Sequence, residues 1–415
     1  MDFLKVLRTP HLAILWGGQM LSAIGDQCFS VALIWITTRL LGSTAGVVSA
    51  LGSLTVLLFS LPSGTLADRW PRRETMIYTD LLRALLAGAL ALLAVSGMLQ
   101  IWQLILLSIG LEALGTLFDP TLIASLPLLT RDGKQLYAAN TLMDGTQRMA
   151  RVLGPGLTGL LLLLIPLAHF FTLDAISFTL SAFSILLLAR HFPARKAKTS
   201  EQKPEARGHI FSDMRSGLVQ LRAHRPLAWA LGSLGLSNIS WAAIFLIGVP
   251  LLIARMPGAN AGTYGLVVGA YGVGNVLSLF LTNHLSRTRD LRWMYVGQII
   301  LGLGFLLIGV ATTPILAMLG AAIAAFGSPM GDLILVNIIQ TDFPSTDMGK
   351  MYSLRRLIAG IGLMLGSALA TPLFASHQYL ASGIALCSCS ILLIAIISLA
   401  HEWLTKTPNN HSSLP

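Results

Sequence analysis

The sequence has little charge and very little cysteine. Only 11% of its 415 residues are charged and 54% are hydrophobic, and the mean hydropathy of +0.73 excludes an ordinary soluble domain. All three cysteines lie within apolar runs, which favours packing roles over disulfides or metal ligands. The nine histidines lack metal-ligand spacing, and no nucleophile–base pair or phosphate loop stands in a suitable context. We therefore expect no metal, no cofactor and no enzyme activity.

The apolar residues are gathered in twelve long runs. Each run is close to or longer than the roughly 20 residues that a helix needs to cross a bilayer, and backbone groups in lipid must hydrogen-bond within their own segment. The two-residue alternation of a membrane barrel is missing. The sequence therefore predicts an all-α membrane protein with about twelve transmembrane helices. The runs are 11–38, 44–67, 74–97, 101–127, 140–165, 168–190, 226–253, 262–285, 291–311, 313–340, 351–375 and 378–403.

Basic residues lie mainly in alternate loops, and the largest group is in 190–225. The intervening short loops contain only Arg39 and Arg255. The positive-inside rule then places 190–225 and both chain termini in the cytoplasm. The basic residues, which give a net charge of +10, are scattered and lack interleaved aromatic side chains. Nucleic acid is therefore not an expected partner.

A long polar stretch divides the chain into two six-helix halves that show a weak internal repeat. Residues 44–53 resemble residues 263–272, and both segments open an even-numbered helix. Two halves repeated in the same order are typical of transporters with a site between the repeats. The predicted domains are an N-terminal half at 1–190, a cytoplasmic central loop at 191–225, a C-terminal half at 226–403 and a cytoplasmic tail at 404–415.

Several charged residues lie inside the apolar runs, namely Asp26, Glu112, Arg148, Arg151 and Asp332. A charge at the bilayer centre costs roughly 2.5–3.5 kcal/mol even on the lenient insertion scale. Such residues are typically retained where they face a wet cavity and handle a solute or a proton. The alternative is a structural ion pair, such as Asp26 with Arg151 or Glu112 with Arg148.

The first run carries a polar stripe of Gln19, Ser22, Asp26 and Ser30. Spacings of three and four residues place these side chains on one helix face. A carboxylic acid that lines a cavity of low dielectric constant is suited to bind and release protons. We therefore predict that Asp26 carries protons, that Glu112 is the second candidate, and that Gln19 and Ser22 contact the substrate.

The remaining charges inside the runs are assigned by their spacing. Arg148 and Arg151 are three residues apart on one helix face, and they are suited to tune an acid or to attract an anionic group of the substrate. Asp332 is a further candidate for substrate binding. Asp80 and Arg83 lie three residues apart near the start of the third run, which favours an ion pair within one helix at the membrane edge.

The most specific string is SGTLADRWPRR at 63–73, between the second and third runs. Its acid lies among arginines, where it can hold a two-state gate through charge-assisted hydrogen bonds. Alternatively, it caps a helix beside arginines that only set the topology. The pattern G-x-L-A-D-R-x-x-R-R resembles the signature loop of the major facilitator superfamily, which implies a cytoplasmic gate. The candidate gate residues are Gly64, Asp68, Arg69, Arg72, Arg73 and Arg355, the last as a partner for the acid.

The fifth run contains Gly154, Pro155 and Gly156, followed by Gly159. Proline removes a helical hydrogen bond and bends the helix, so we predict a hinge at Gly154, Pro155 and Gly159. The segment resembles the fifth-helix motif of proton-coupled antiporters, and this resemblance implies export rather than uptake.

Three further segments, at 22–27, 118–161 and 343–355, resemble the macrolide-efflux and enterobactin-exporter branch of the major facilitator superfamily. The resemblance implies a major facilitator fold whose halves rock about a central site. It also implies proton-coupled efflux of a small amphipathic molecule, either a macrolide-like drug or a siderophore, by a monomer in the bacterial inner membrane. The expected partners are the substrate, protons and lipid. An uptake carrier and a non-transporting membrane scaffold or sensor are the alternatives.

Overall fold

The computed structural model describes residues 6–162, 164–191, 210–282 and 290–406. Within these ranges the backbone is almost entirely helical and contains no strand. This confirms the predicted all-α class, which follows from the need of every lipid-facing backbone group for a partner in its own segment.

The first half of the chain forms six long helices close to the predicted runs. The largest difference is in the fifth, which begins at Gly133 rather than near 140. Asp132 caps this helix, because its side chain accepts a hydrogen bond of 2.7 Å from the backbone N–H of Gln135. The helices are α1 (Pro10–Leu41), α2 (Ala45–Arg69), α3 (Arg72–Val95), α4 (Ile101–Leu129), α5 (Gly133–Leu161) and α6 (His169–Leu187).

The second half begins with a short helix, α7 (Ile210–Ala223). The next two helices, α8 (Arg225–Ala242) and α9 (Val249–Arg255), are joined without a break by a π-helical segment, Ala243–Gly248. The run predicted at 226–253 is therefore one continuous span. The remaining helices are α10 (Ala261–Thr282), α11 (Leu291–Gly309), α12 (Pro314–Asp342), α13 (Ser345–Leu373) and α14 (Leu380–Lys406).

Ten helical segments of the described residues are long and apolar enough to cross a membrane. The first, Pro10–Ser60, contains two predicted runs, because only the 3₁₀ turn Gly42–Thr44 separates α1 from α2. Helix α5 is not among the ten, since its N-terminal part, GKQLYAANTLMDGTQR, is polar. With these two facts taken together, the structure is consistent with the predicted count of about twelve spans.

The chain divides into two compact units, Met1–Leu40 with Leu51–Thr199, and Leu41–Ala50 with Ser200–Pro415. The start of α2 groups with the second unit because it contacts α13 closely. A Cβ added at Gly46 would lie 2.2 Å from the carbonyl oxygen of Ser367, and the Thr371 hydroxyl donates to the Ser43 carbonyl at 3.3 Å. The domain bounds inferred from the sequence stay a prediction.

Within the first unit, small residues bring α1 close to α6. A Cβ at Gly18 would lie 2.3 Å from Oγ of Ser184, and a Cβ at Gly25 would lie 2.4 Å from Oγ of Ser177. Contacts of this kind between small residues let membrane helices approach closely. They bring the polar face of α1 against the polar face of α6.

Within the second unit, glycines have the same role. A Cβ at Gly327 of α12 would lie 2.0 Å from the carbonyl oxygen of Gly297 in α11. A Cβ at Gly366 of α13 would lie 2.1 Å from the carbonyl oxygen of Ile239 in α8. The backbones of these helix pairs are in direct contact, which fixes the helices that carry the charged residues of this unit.

Candidate functional site

An ion pair inside the first unit joins two membrane-spanning helices. Nη2 of Arg83, in α3, donates to Oδ1 of Asp26, in α1, at 2.9 Å. The guanidinium of Arg83 also lies over the ring of Phe178, in α6, at 3.9 Å from its centroid, which is a favourable cation–π geometry. The side chain of Asp26 is 37% exposed and that of Arg83 only 11%. The acid is therefore the accessible member of the pair.

Two further acids lie beside this pair and are almost fully buried. Asp80 precedes Arg83 by one helical turn, and its Oδ1 lies 3.8 Å from Nη1 of Arg83. No well-aligned hydrogen bond from a described residue reaches either oxygen of Asp80, although the hydroxyl of Ser181 is near. Asp174, in α6, lies 3.5 Å from the hydroxyl of Ser177. Acids from three helices thus converge on one arginine.

Acidic groups outnumber basic ones among the described side chains of this site. Arg83 interacts electrostatically with Asp26, Asp80, Asp174 and Asp119, and the exposed Glu112 of α4 interacts with Asp26, Asp119 and Arg83. One guanidinium balances the charge of one carboxylate, so not all of these acids can be ionised at low cost. We call this set, defined by Asp26, Asp80, Glu112, Asp119 and Asp174 around Arg83, the Arg83 cluster.

The second unit contains another ion pair, between Arg355 of α13 and Asp332 of α12. The Asp332 side chain is 53% exposed, and it acts electrostatically on the buried Tyr271 of α10. The hydroxyl of Tyr271 accepts a hydrogen bond of 2.9 Å from Nε1 of Trp241. An ion pair between two membrane helices thus lies within electrostatic range of a hydrogen-bonded aromatic pair.

Three aromatic rings lie together at this place. Trp241 stacks on Phe245 with ring centroids 5.1 Å apart, and Phe245 contacts Tyr271 with centroids 4.3 Å apart. Phe245 belongs to the π-helical segment Ala243–Gly248, and π-helical turns are frequent at functional sites. We call Trp241, Phe245 and Tyr271 the aromatic group. The side chains of Trp241 and Phe245 are half-buried and that of Tyr271 is buried.

A family model described as transmembrane secretion effector matches residues 3–413. The chain belongs to this family. It is a multi-pass membrane transporter of the major facilitator type that acts on small molecules, and the resemblance seen in the 63–73 signature is confirmed.

Curated relatives match the transporter over most of their length. The uncharacterized MFS-type transporter YfiS of Bacillus subtilis is 25% identical over 94% of this chain and 92% of its own. Macrolide efflux protein A of Streptococcus pyogenes is 23% identical over 89% of this chain and 91% of its own. The putative bacilysin exporter BacE of Bacillus amyloliquefaciens is 24% identical over 87% and 88%.

Solved structures share the fold of the transporter. The crystal structure of an auto-inhibited POT family peptide transporter superposes with a TM-score of 0.73 at 12% identity, covering 98% of this chain and 99% of the other. At this identity the likeness concerns the fold alone. It confirms the predicted major facilitator fold.

The structure brings together the two predicted proton carriers of the transporter, but it does not bring the predicted substrate contacts of α1 to the same cluster. Asp26 and Glu112 both belong to the Arg83 cluster. Gln19 and Ser22 are buried, and Nε2 of Gln19 donates to the hydroxyl of Ser181 in α6 at 2.8 Å. These two side chains therefore lie in the packed contact between helices, and their contact with substrate stays a prediction.

Sequence reasoning singled out Asp26, Glu112, Asp80 and Arg83 but missed that they form one cluster. The predicted pair of Asp80 and Arg83 exists within α3, but Arg83 makes its shorter contact with Asp26 of another helix. The alternative partner Arg151 has a side chain outside the described part of the structure. Asp174 was not considered, although it interrupts an apolar run just as Asp26 does. The same signal could have found it.

Helix α5 of the transporter passes close to Asp26. A Cβ at Gly154 would lie 2.5 Å from Cβ of Gln27, and the hydroxyl of Thr158 lies 3.4 Å from Sγ of Cys28. Gly159 is buried as well. The side chains of Arg148, Arg151 and Pro155 lie outside the described residues, so the hinge and the two arginines stay predictions.

The signature segment of the transporter is mostly helical. Helix α2 continues to Arg69, and the turn that follows begins at Trp70. Nη1 of Arg72 donates to the Ala124 carbonyl in α4 at 2.6 Å, while Nε of Arg73 is buried without a hydrogen-bond partner among described residues. The hydrogen bond of Arg72 anchors the start of α3 to α4. The side chains of Asp68 and Arg69 and the surroundings of Gly64 lie outside what the structure describes, so the gate stays a prediction.

Proposed function

We propose that this transporter exports a small amphipathic molecule from the cytoplasm and that entering protons drive the export. The observation that carries the proposal is the ion pair between a partly exposed Asp26 and a buried Arg83 inside membrane-spanning helices. The proposal includes a monomer in the bacterial inner membrane with both termini in the cytoplasm.

The geometry of the ion pair supports proton coupling. Asp26 is accessible while Arg83 is held against Phe178, so a proton can reach the acid without displacing the base. Protonation removes the negative charge of Asp26. Its hydrogen bond to Arg83 then becomes weaker, because the acceptor is no longer ionised. The substrate binds while Asp26 is ionised and is released when Asp26 takes a proton from outside. Glu112 is the second candidate for this proton.

The substrate class is supported by the second unit and by the relatives. The half-buried rings of Trp241 and Phe245 give flat apolar surface, and the ion pair of Asp332 and Arg355, within electrostatic range of Tyr271, provides charge. That combination suits an amphipathic molecule. The names of two relatives specify macrolide efflux and bacilysin export, which favours export of antibiotic-like compounds. A siderophore is the other candidate, and Gln19, Ser22, Arg148 and Arg151 are further proposed contacts.

Alternating access gives the other predicted residues their roles. We assign the cytoplasmic gate to Gly64, Asp68, Arg69, Arg72, Arg73 and Arg355, and the hinge to Gly154, Pro155 and Gly159. Arg72 already links α3 to α4, so its replacement by Lys would test whether that anchor matters to the gate.

A cellular assay tests the proposed function. The chain is expressed in a bacterial strain that lacks its own major efflux pumps, and susceptibility to macrolides and peptide antibiotics is measured together with siderophore secretion. We expect increased resistance to a compound or increased secretion, and we expect a protonophore to abolish it. Asp26→Asn should lose the effect at unchanged membrane abundance. Glu74→Gln is the matched control, because this exposed acid at the start of α3 lies outside the Arg83 cluster.

Two results would contradict the proposal. If Asp26→Asn confers the same resistance or secretion as the wild type, Asp26 does not carry the coupling proton. If neither resistance nor secretion changes for any compound, the protein does not export these compounds. If the change goes with faster uptake, the export direction is wrong.

A further inference from the structure

Asp80 is an acid of the Arg83 cluster whose ionised form has little support from its surroundings. It is completely buried, and Nη1 of Arg83 lies 3.8 Å from its Oδ1, beyond hydrogen-bond distance. No well-aligned hydrogen bond reaches its oxygens from the described residues. An ionised carboxylate in such surroundings is unfavourable, because in place of its water it has only the nearby hydroxyl of Ser181 and the more distant guanidinium of Arg83.

The charges around Asp80 increase this difficulty. The groups that act on it are Asp26 from α1, Arg83 from its own helix, Asp119 from α4 and Asp174 from α6, and Glu112 belongs to the same network. Arg83 is the only base in this set, and its short contact is with Asp26 at 2.9 Å. With Arg83 bonded to Asp26, the neutral form of Asp80 is the one that the surroundings favour.

The same arginine can reach either acid. Its Nη2 contacts Asp26 and its Nη1 faces Asp80, while the ring of Phe178 supports the plane of the guanidinium. A movement of about 1 Å would bring Nη1 to hydrogen-bond distance of Asp80. Two carboxylates on different helices thus compete for one guanidinium.

We propose that Asp80 is a second proton-binding site and that Arg83 exchanges between Asp26 and Asp80 during the cycle. This inference rests on the proposed proton-coupled export. While Asp26 is ionised, Arg83 bonds to it and Asp80 holds a proton. When Asp26 gains a proton, an O–H bond forms there, Arg83 turns to Asp80, and the O–H bond of Asp80 breaks. The released proton passes to water, Arg83 stays charged, and the net charge of the three groups is unchanged.

Infrared spectroscopy of the purified full-length protein in lipid tests the exchange without any substrate. Protonated carboxyl groups absorb separately from carboxylates, so the spectrum near neutral pH counts neutral acids. We expect Asp80→Asn to lose one protonated carboxyl group relative to the wild type. Asp26→Asn should lose the same band, because the freed Arg83 then pairs with an ionised Asp80. The double variant should lose no more than Asp80→Asn alone.

The control is Asp174→Asn, which removes another buried acid of the cluster. In that background, adding Asp26→Asn should still remove the Asp80 band. Retention of every protonated carboxyl band in Asp80→Asn would overturn the proton site. Loss in Asp80→Asn together with retention in Asp26→Asn would overturn the exchange. All variants are first checked for wild-type helix content and thermal unfolding.

The outcomes separate this inference from the proposed function. If the bands behave as expected but no proton-driven export is found, the exchange stands and the proposed function fails. If export is proton-driven but Asp80→Asn keeps all protonated bands, only the exchange is wrong.

Discussion

The close approach of α1 to α6 leads to a sharp prediction for Gly25→Ala. The added Cβ would lie 2.4 Å from Oγ and 2.9 Å from Cβ of Ser177, and 2.8 Å from Oδ1 of Asp174. The Cβ of Ser177 cannot turn away by a change of rotamer, so α6 itself has to move. Overpacking of this kind costs about 1–3 kcal/mol, and the movement displaces Asp174 from the Arg83 cluster.

Gly17→Ala is the matched control on the same helix. Nothing lies within 4 Å of a Cβ at Gly17, so the change brings only the gain of about 1 kcal/mol in helix propensity. Both variants share that gain, and the difference between them isolates the steric cost. We expect Gly25→Ala to be less stable than Gly17→Ala by about 1–3 kcal/mol.

Unfolding in mixed micelles titrated with denaturing detergent, followed by tryptophan fluorescence, measures this difference. Export measured on the same variants should fall for Gly25→Ala and stay at the wild-type level for Gly17→Ala. Equal stability of the two variants would refute the close packing of α1 on α6, and with it the placement of Asp174 next to Asp26.

Three other substitutions test separate contacts. Arg83→Gln removes the charged hydrogen bond to Asp26 and should cost about 1.5–3 kcal/mol of unfolding free energy and abolish export; wild-type export in this variant would rule out a role for the ion pair. Phe245→Leu keeps an apolar side chain but removes ring contacts worth about 0.5–1.5 kcal/mol, so we expect weaker binding of an aromatic or macrolide compound in a thermal-shift titration; unchanged affinity would argue against the aromatic group. Gly366→Ala places a Cβ 2.1 Å from a backbone carbonyl and should cost at least about 1–3 kcal/mol, whereas Gly232→Ala, with nothing within 4 Å, should not destabilise; a thermal-unfolding comparison of the two decides this.

Much of the fold could be predicted from the sequence because its cause is local. The length and hydropathy of each run decide that it spans a membrane, and the capping side chain of Asp132 explains where α5 begins. The π-helical segment at 243–248 could not be predicted, since its residues, AIFLIG, are apolar and equally suited to an α-helix. The segment packs against α13 and α14, which lie about 100 or more residues further along the sequence.

Individual charged residues of the candidate site could be predicted from the sequence, but the ion pair that they form could not. A charge in an apolar run pointed to Asp26 and, by the same rule, would have pointed to Asp174. The partner of Asp26 was not predictable, because Arg83 is 57 residues away in the sequence and the pair depends on how α1, α3 and α6 come together. The i, i+3 spacing indicated Asp80 as the partner of Arg83. It gave no sign of the shorter contact of Arg83 with Asp26 of another helix.

The central claim is that protons reaching Asp26 drive export. The most direct test uses inside-out vesicles with an acid interior and a labelled macrolide, or the compound that the susceptibility assay identifies. We predict accumulation of the compound that follows the imposed pH difference in the wild type and is absent in Asp26→Asn. Accumulation that is the same in both proteins, or that does not change when the pH difference is removed, would contradict the claim.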